Sequence, residues 1–190
     1  MASDTRDKIL EAAFTVLSRQ GYENTSIKDI AEEAGVAQGL VHYHFKSKQQ
    51  LVMQVLIEVC AKMEVYGAST GEAAALEAFE NFKALLRSRR DTHSLYVQLI
   101  GVGLHDVEIG AGIRDNIRQE RGRVEDLVHQ VLAQREIDPG PARAIAGAVW
   151  AGVLGVMVQS LVDPEFNADE AVDALAAMSL SAVFSPSQGA

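Results

Sequence analysis

The chain has 190 residues, 48% of them apolar, enough to bury a sizeable core in one domain or in two small ones. Only 6% are aromatic and four are proline, while Ala, Leu and Val are abundant, which favours an all-helical protein. A net charge of −9 argues against a nucleic-acid partner for the chain taken whole, and the single cysteine, Cys60, excludes an intrachain disulfide.

The first eight residues are mostly polar, with no apolar signal core, and with the lone thiol this predicts a cytoplasmic protein. Ile9, Leu10, Ala13, Phe14 and Leu17 share one face of a helix over 5–20, with Gly21 as its stop. A second stripe, Ile27, Ile30, Ala31 and Ala34, comes next at i, i+3, i+4 and i+7, with Thr25 or Ser26 to cap its first amides. Gly35 can take the left-handed backbone needed past a helix end, and Val36 then turns back into the core. The next helix starts near Ala37 or Gln38 and points Val41 and Phe45 inward, so the stretch 24–48 reads as a helix-turn-helix. Its outward face carries Gln38, Gly39, His42 and Tyr43, which are donors, acceptors and one bare backbone position. Such a face suits the major groove of B-form DNA better than a core. His44 and Lys48 lie at the far end, and Lys48, in the first turn of a fourth helix whose start Ser47 and Gln50 would close as a capping box, is placed to clamp phosphate.

Phe14, Tyr22, Ile30, Val41 and Phe45 would close a three-helix core too small to stand alone. It leans on the fourth helix, from 47 to about 66, with Leu51, Val55, Leu56, Val59 and Met63 inward. Residues 1–50 hold six Lys/Arg and seven Asp/Glu, whereas 51–190 hold eleven and nineteen. The acidity therefore lies mainly outside the reader, and DNA binding must rest on a few placed cations and be strongly salt-dependent.

Ser69 with Glu72 reads as a capping box opening a helix with Leu76, Phe79, Phe82 and Leu86 inward, closed by a basic break at 87–90. Over 92–104 Leu95, Tyr96, Leu99 and Ile100 form a core stripe. Gly101 and Gly103 there each cost about 1 kcal/mol in a helix interior, which predicts a local ending where something approaches closely. Residues 106–112 read as a connection. Ile113, Ile117, Val124, Leu127, Val131 and Leu132 then mark a long amphipathic helix to about 136, which Pro139-Gly-Pro141 separates from the next one. The stretch 144–162 carries no charge and approaches the roughly 20 residues of a membrane crossing. It reads instead as a helix built for close approach, with Gly147, Ala151 and Gly155, like Ala148 and Gly152, four apart. Asn167 with Glu170 opens a last helix with Ala171, Val172, Leu175, Ala182 and Val183 apolar, and the tail from Ser185 is expected to be disordered. Two such hairpins would form a four-helix dimer interface through Gly147, Ala151, Gly152, Gly155, Leu175 and Val183, which a charge at Gly152 should split.

Enzyme chemistry finds little footing. Gly101-Val-Gly103 is not a dinucleotide loop, since residue 106 is aspartate and no strand precedes it; there is no Gly-x-Ser-x-Gly elbow. His42 and His44 diverge on a helix, and His93, His105 and His129 are scattered, so neither a metal nor a cofactor is expected.

Gly35-Val36-Ala37-Gln38-Gly39, then His42-Tyr43-His44-Phe45-Lys46-Ser47-Lys48 and Leu51, resemble the TetR family of bacterial transcriptional regulators. The resemblance is close from 6 to about 56 and looser beyond, in helix number and in the Asp163-Pro164 break. Ala37 stands where the family often has serine, and His42 where it often has tyrosine. The resemblance implies an all-α protein of about nine helices, with a three-helix DNA-binding domain at 1–46 and an effector-binding and dimerisation domain at 47–190. Its DNA-facing set would be Thr25, Ser26, Lys28, Gln38, Gly39, His42, Tyr43, His44 and Lys48. It further implies a ligand cavity walled by Phe79, Phe82, Leu86, Tyr96, Ile100, Leu104, Val124, Trp150 and Met157, with Tyr96, Gln98 or His93 as polar anchors. Few charges line that set, so an acyl chain, an aromatic compound or a hydrophobic drug fits better than a sugar or phosphate. The reading is a homodimeric repressor on an inverted-repeat operator, released by a small apolar or amphipathic ligand, with no membrane partner. The alternatives are a DNA-binding dimer without an effector, and an unrelated helical enzyme or interaction module.

Overall fold

A computed structural model describes residues 2–184, with side chains over 5–181. The described residues contain nine helices: α1 (Ala2–Gln20), α2 (Ile27–Ala34), α3 (Gln38–His44), α4 (Lys48–Lys62), α5 (Gly71–Ser88), α6 (Arg90–Gly103), α7 (Val107–Gln134), α8 (Ala142–Val162) and α9 (Ala168–Phe184). They divide into two compact units. The first gathers the chain up to Met63 with Asp91–Asp115, and the second gathers Glu64–Arg90 with the chain from Asn116 onward.

In the first unit α1 buries Ile9, Leu10, Ala13, Val16 and Leu17 almost completely, and α4 answers with Leu51, Val52, Val55, Leu56 and Val59. The boundary expected at 46/47 thus falls inside this unit, because α4 supplies much of its apolar surface. Phe14 and Tyr22, expected in the core, are only half-buried. Leu95, Tyr96 and Leu99 of α6 and Ile109 and Ile113 of α7 complete the interior.

Two helix limits differ from expectation. α4 ends at Lys62 rather than near 66. The next residues are engaged elsewhere in the second unit, where the Asn81 amide donates to the Val65 carbonyl and the Arg123 guanidinium lies 5.6 Å from the Tyr66 ring centre. Conversely, 106–112 is not a connection, since α7 begins at Val107. Asp106 starts it, its Oδ1 accepting from the amides of Glu108 and Ile109 at 3.0 Å each. The glycines tolerated there have a use. A Cβ on Gly110 would lie 2.3 Å from the Gly103 carbonyl oxygen, so α6 and α7 meet backbone against backbone. The close approach expected around Gly101 and Gly103 is therefore made by Gly103, while Gly101 faces open space.

The second unit starts α5 without the expected box. Thr70 is the cap residue and its side chain makes no capping bond. The amides of Gly71 and Glu72 instead donate to the side-chain oxygens of Gln130 (3.0 Å) and Gln134 (3.1 Å) on α7, and the Glu72 carboxylate pairs with Arg135. Leu76, expected inward, is 45% exposed; Ala74, Phe82 and Leu85 form the buried face. Lys83 lies between Glu80 (2.6 Å) and Asp173 (2.7 Å), tying α5 to α9. Further along, Val128, Val131 and Leu132 pack with Ala142.

α8 and α9 form a hairpin, and the Arg90 guanidinium donates to the Ser160 and Leu161 carbonyls at the end of α8. A Cβ at Gly152 would come within 2.6 Å of the Leu175 Cδ1, so these two residues serve each other within one protomer. Gly152 and Leu175, both expected at the dimer interface, thus pack on each other across the α8–α9 hairpin. The open side of α8 holds Ala144, Ala148, Ala151, Val158 and Val162, all exposed, with empty space beside Gly147 and Gly155. α8 is long and apolar enough to cross a membrane by length and composition. The side chains of Ala182 and Val183, and the tail from Ser185, lie outside the described residues.

The glycine geometry yields a paired test. Gly101→Ala should raise stability by about 0.5–1 kcal/mol, since an unobstructed helix-interior glycine only adds unfolded-state entropy. Gly110→Ala should lower it by about 1–3 kcal/mol through overpacking against the Gly103 backbone. Thermal melts of the two variants read the sign directly.

Candidate nucleic-acid interface

The site is assembled from the α1–α2 corner upward. Ser26 caps α2: its Oγ accepts from the Asp29 amide at 3.1 Å, and Asp29 Oδ2 accepts from the Ser26 amide at 2.8 Å, a closed capping box. These bonds from Ser26 hold the Asp29 carboxyl below the usual carboxylate range. Thr25 is not available for DNA, because its hydroxyl donates to the Gly21 carbonyl at 2.7 Å and the residue is 3% exposed. At the other end Gly35 adopts φ +65°, and the Val36 amide closes back on the Ala31 carbonyl at 3.0 Å.

α3 comes next with an unaided start, since Ala37 makes no side-chain cap. Two residues hold it down, Val41 at 0% exposure and Phe45 at 2%. Gln38, Gly39, His42 and Tyr43 lie on the opposite side and are exposed, Tyr43 at 80%. No heavy atom lies within 4 Å of a Cβ built on Gly39, so backbone is presented bare there. His44 is half-buried, with its ring edge-on to Tyr43 at 5.2 Å.

The cations are less free than their letters suggest. Lys28 pairs with Glu32 at 3.6 Å and Arg19 with Glu33 at 3.3 Å, both pairs largely exposed and worth little to stability. Lys48 is half-buried: its ammonium donates to the Tyr22 carbonyl and lies 4.0 Å from the centre of the Tyr22 ring. Burial pushes its pKa down, while Glu23 and Asp29 act in the opposite sense. The box expected there is only half formed. Ser47 Oγ accepts from the Gln50 amide at 3.0 Å, but the Gln50 side chain turns to the Lys46 amide at 2.8 Å. Two residues beside this surface stand outside the expected DNA-facing set, Lys46, which is exposed, and Leu40, 37% exposed within α3. Lys46 stands in the same turn as Lys48, and that proximity was the available signal.

The residues expected around one effector cavity fall into two groups. Phe79, Phe82, Leu86, Val124, Trp150 and Met157 belong to the second unit, while His93, Tyr96, Gln98, Ile100 and Leu104 belong to the first. His93 and Tyr96 are each 1% exposed, but Leu104 is 76% exposed and walls no interior, because it sits just past the last residue of α6 at the turn into α7. The Trp150 indole N–H is buried and bonds to none of the described residues. An open cleft of about 530 Å³ in the second unit, bordered by Arg87, Arg90, Ser160, Phe166 and Asp169, shares only Leu86 with the expected walls. Among the described residues no cluster of three His, Cys, Asp or Glu is placed to hold a metal ion.

The sequence model of bacterial regulatory proteins, tetR family, matches residues 9–55. Over 63 residues the chain is 41% identical to the transcriptional repressor KstR2 of Mycolicibacterium smegmatis, covering 30% of this chain and 31% of that protein. The chain thus matches about a third of the length of that relative. To the transcriptional regulator CymR of Pseudomonas putida it is 26% identical over 166 residues, 84% of this chain and 81% of that one. Its fold is similar to a transcriptional regulator from Saccharomonospora viridis solved in complex with choline, with a TM-score of 0.71 at 21% identity and 97% of each chain covered.

The cap on α2 can be tested in isolation. Ser26→Ala should cost about 1 kcal/mol near neutral pH. Asp29's folded-state pKa is depressed, so its share of stability is present above the ordinary carboxylate range and is lost as pH falls through the lowered value. The gap between wild type and variant in a series of melts should therefore narrow in acid.

Proposed function

We propose that the chain is a dimeric repressor of the TetR family of bacterial transcriptional regulators, a non-enzymatic family with a DNA-binding domain, released from an inverted-repeat operator by a small apolar or amphipathic effector. The observation that carries this reading is the two-sided α3, with Val41 and its C-cap residue Phe45 buried and Gln38, Gly39, His42 and Tyr43 exposed. A helix held this way offers polar edges to a major groove. Gln38 and His42 read bases, Tyr43 and His44 contact the groove wall, Lys46 and Lys48 contact phosphate, and Ser26 and Lys28 sit beside the backbone at the start of α2.

The dimer forms on the open side of α8, where Gly147, Ala151 and Gly155 let a second copy of the helix approach closely and Met178 of α9, 68% exposed, adds apolar area. This accounts for a long apolar helix that its own chain leaves uncovered, without a membrane. The dimer works in the cytoplasm, where its operator is. The effector occupies the second unit near Phe79, Phe82 and Trp150, and the unpartnered Trp150 N–H gives an amphipathic ligand one polar anchor. The repressor sense is supported by KstR2, a transcriptional repressor, and a small-molecule ligand by the choline complex, each as a property of that relative.

In vitro selection from a randomised duplex library should recover an inverted repeat; recovery of no symmetric sequence would sink the reading. On that duplex Lys46→Ala should weaken binding to all sequences alike and lower the salt slope by about one. Gln38→Ala should instead change base preference. Ala151→Glu should sediment as a folded monomer and bind the repeat weakly; a stable dimer would place the interface elsewhere. For the effector, a compound that raises the melting temperature should lose affinity when the selected duplex is bound and when Trp150 is replaced by phenylalanine. A stabilising compound indifferent to both would dispose of the effector role.

A further inference from the structure

The hold on Lys48 continues beyond Tyr22. The Tyr22 hydroxyl donates to Asp106 Oδ2 at 3.5 Å, while the other oxygen of the same carboxylate accepts from the first amides of α7. Asp106 is therefore fixed from one side by the helix it starts and offers its second oxygen to the α1–α2 corner. The ring that it holds lies under the Lys48 ammonium, and the carbonyl of the same residue accepts from that ammonium. Both contacts restrict one group. A lysine normally spreads its charge over many rotamers, and contact with a phosphate must overcome that freedom. Here one N–H is directed at a carbonyl and one face at an aromatic ring, so the remaining donor directions are limited before DNA arrives. Burial weighs against the ammonium form of Lys48 and lowers its pKa overall, while the nearby Glu23 and Asp29 offset part of that effect.

We propose that Tyr22 and Asp106 are positioning residues for DNA binding: Asp106, fixed at the start of α7, holds the Tyr22 ring, and Tyr22 orients the Lys48 ammonium toward a phosphate of the operator. This rests on the reading of Lys48 as a phosphate contact. It places a determinant of operator affinity 84 residues along the chain from Tyr22, at the start of α7. Beside Asp106 the backbones of Gly103 and Gly110 lie against each other, so α6 and the start of α7 are in close contact there.

The experiment is a double-mutant cycle in the full-length protein on the duplex recovered by selection, with affinity followed against salt concentration. Lys48→Ala should weaken binding about tenfold and lower the salt slope by about one. Tyr22→Leu, which removes the ring, should produce at least about a third of that loss in the wild-type background and none in the Lys48→Ala background. Asp106→Ser retains a capping oxygen for the α7 amides but is too short to reach the Tyr22 hydroxyl, and Tyr22→Phe retains the ring. Each should therefore fold with an unchanged melting temperature, bind about twofold to threefold more weakly, and again show no effect once Lys48 is alanine. Equal losses in both backgrounds for the Tyr22 and Asp106 variants would overturn the positioning role while leaving the Lys48 contact in place. An unchanged affinity and slope for Lys48→Ala alone would remove the phosphate contact itself, and the positioning role with it. Should Tyr22→Leu unfold, the Tyr22→Phe and Asp106→Ser variants decide the matter by themselves.

Discussion

A helix of seven residues has no stability of its own in water, because nucleation alone exceeds what so few backbone bonds return. α3 exists because Val41 and Phe45 are driven into the first unit, a burial worth roughly 1.5–3 kcal/mol for each side chain. Everything the protein presents to DNA depends on those two anchors, since they fix which face of α3 is left outside. The absence of a side-chain cap at Ala37 makes the dependence stronger, and the firm start of α2 and the left-handed Gly35 offset it by fixing the direction from which the chain enters. α4 belongs with the reader because it packs on α1 and buries Leu51, Val52, Val55, Leu56 and Val59 within the same unit.

Charge works differently here from a basic DNA-binding arm. The reader's cations are mostly spoken for by neighbouring carboxylates, Lys28 by Glu32 and Arg19 by Glu33, and the chain as a whole repels DNA. A protein of this balance gains little from long-range attraction and relies on a few groups held in register. The exposed Lys46 and the restrained Lys48 represent two solutions in one turn, the first keeping its freedom and the second giving it up.

Features governed by near neighbours could be read from the sequence. The stop at Gly35, the periodic face of α2, the outward polar set on α3 and the glycine signal at 101–103 all arise from spacing within a few residues, and the structure has each of them. What could not be read depends on distant partners. Ser69 and Glu72 have the composition and spacing of a capping box, yet the amides they would have served are taken by glutamines 59 and 62 positions later. Thr25 has the letters of a cap and of a DNA contact, but burial against Gly21 removes it from both roles. Small residues four apart mark α8 as a helix that another can approach, and within the chain α9 does so at Gly152, while Gly147 and Gly155 face open space. Periodicity cannot say which partner meets which glycine, so Gly152 turned out to be occupied by Leu175 of its own chain.

The borrowed cap of α5 also bears on how the chain comes into being. During synthesis the residues of α5 leave the ribosome well before Gln130 and Gln134 have been joined to the chain. Its first amides must then be satisfied by water, and the start of the helix stays open to fraying until the second half of α7 arrives. The second unit therefore cannot mature in the order in which it is made. Its earliest helix is completed by one of its later ones, so a nascent chain stalled before residue 130 would carry a reader with α4 formed beside an unfinished α5.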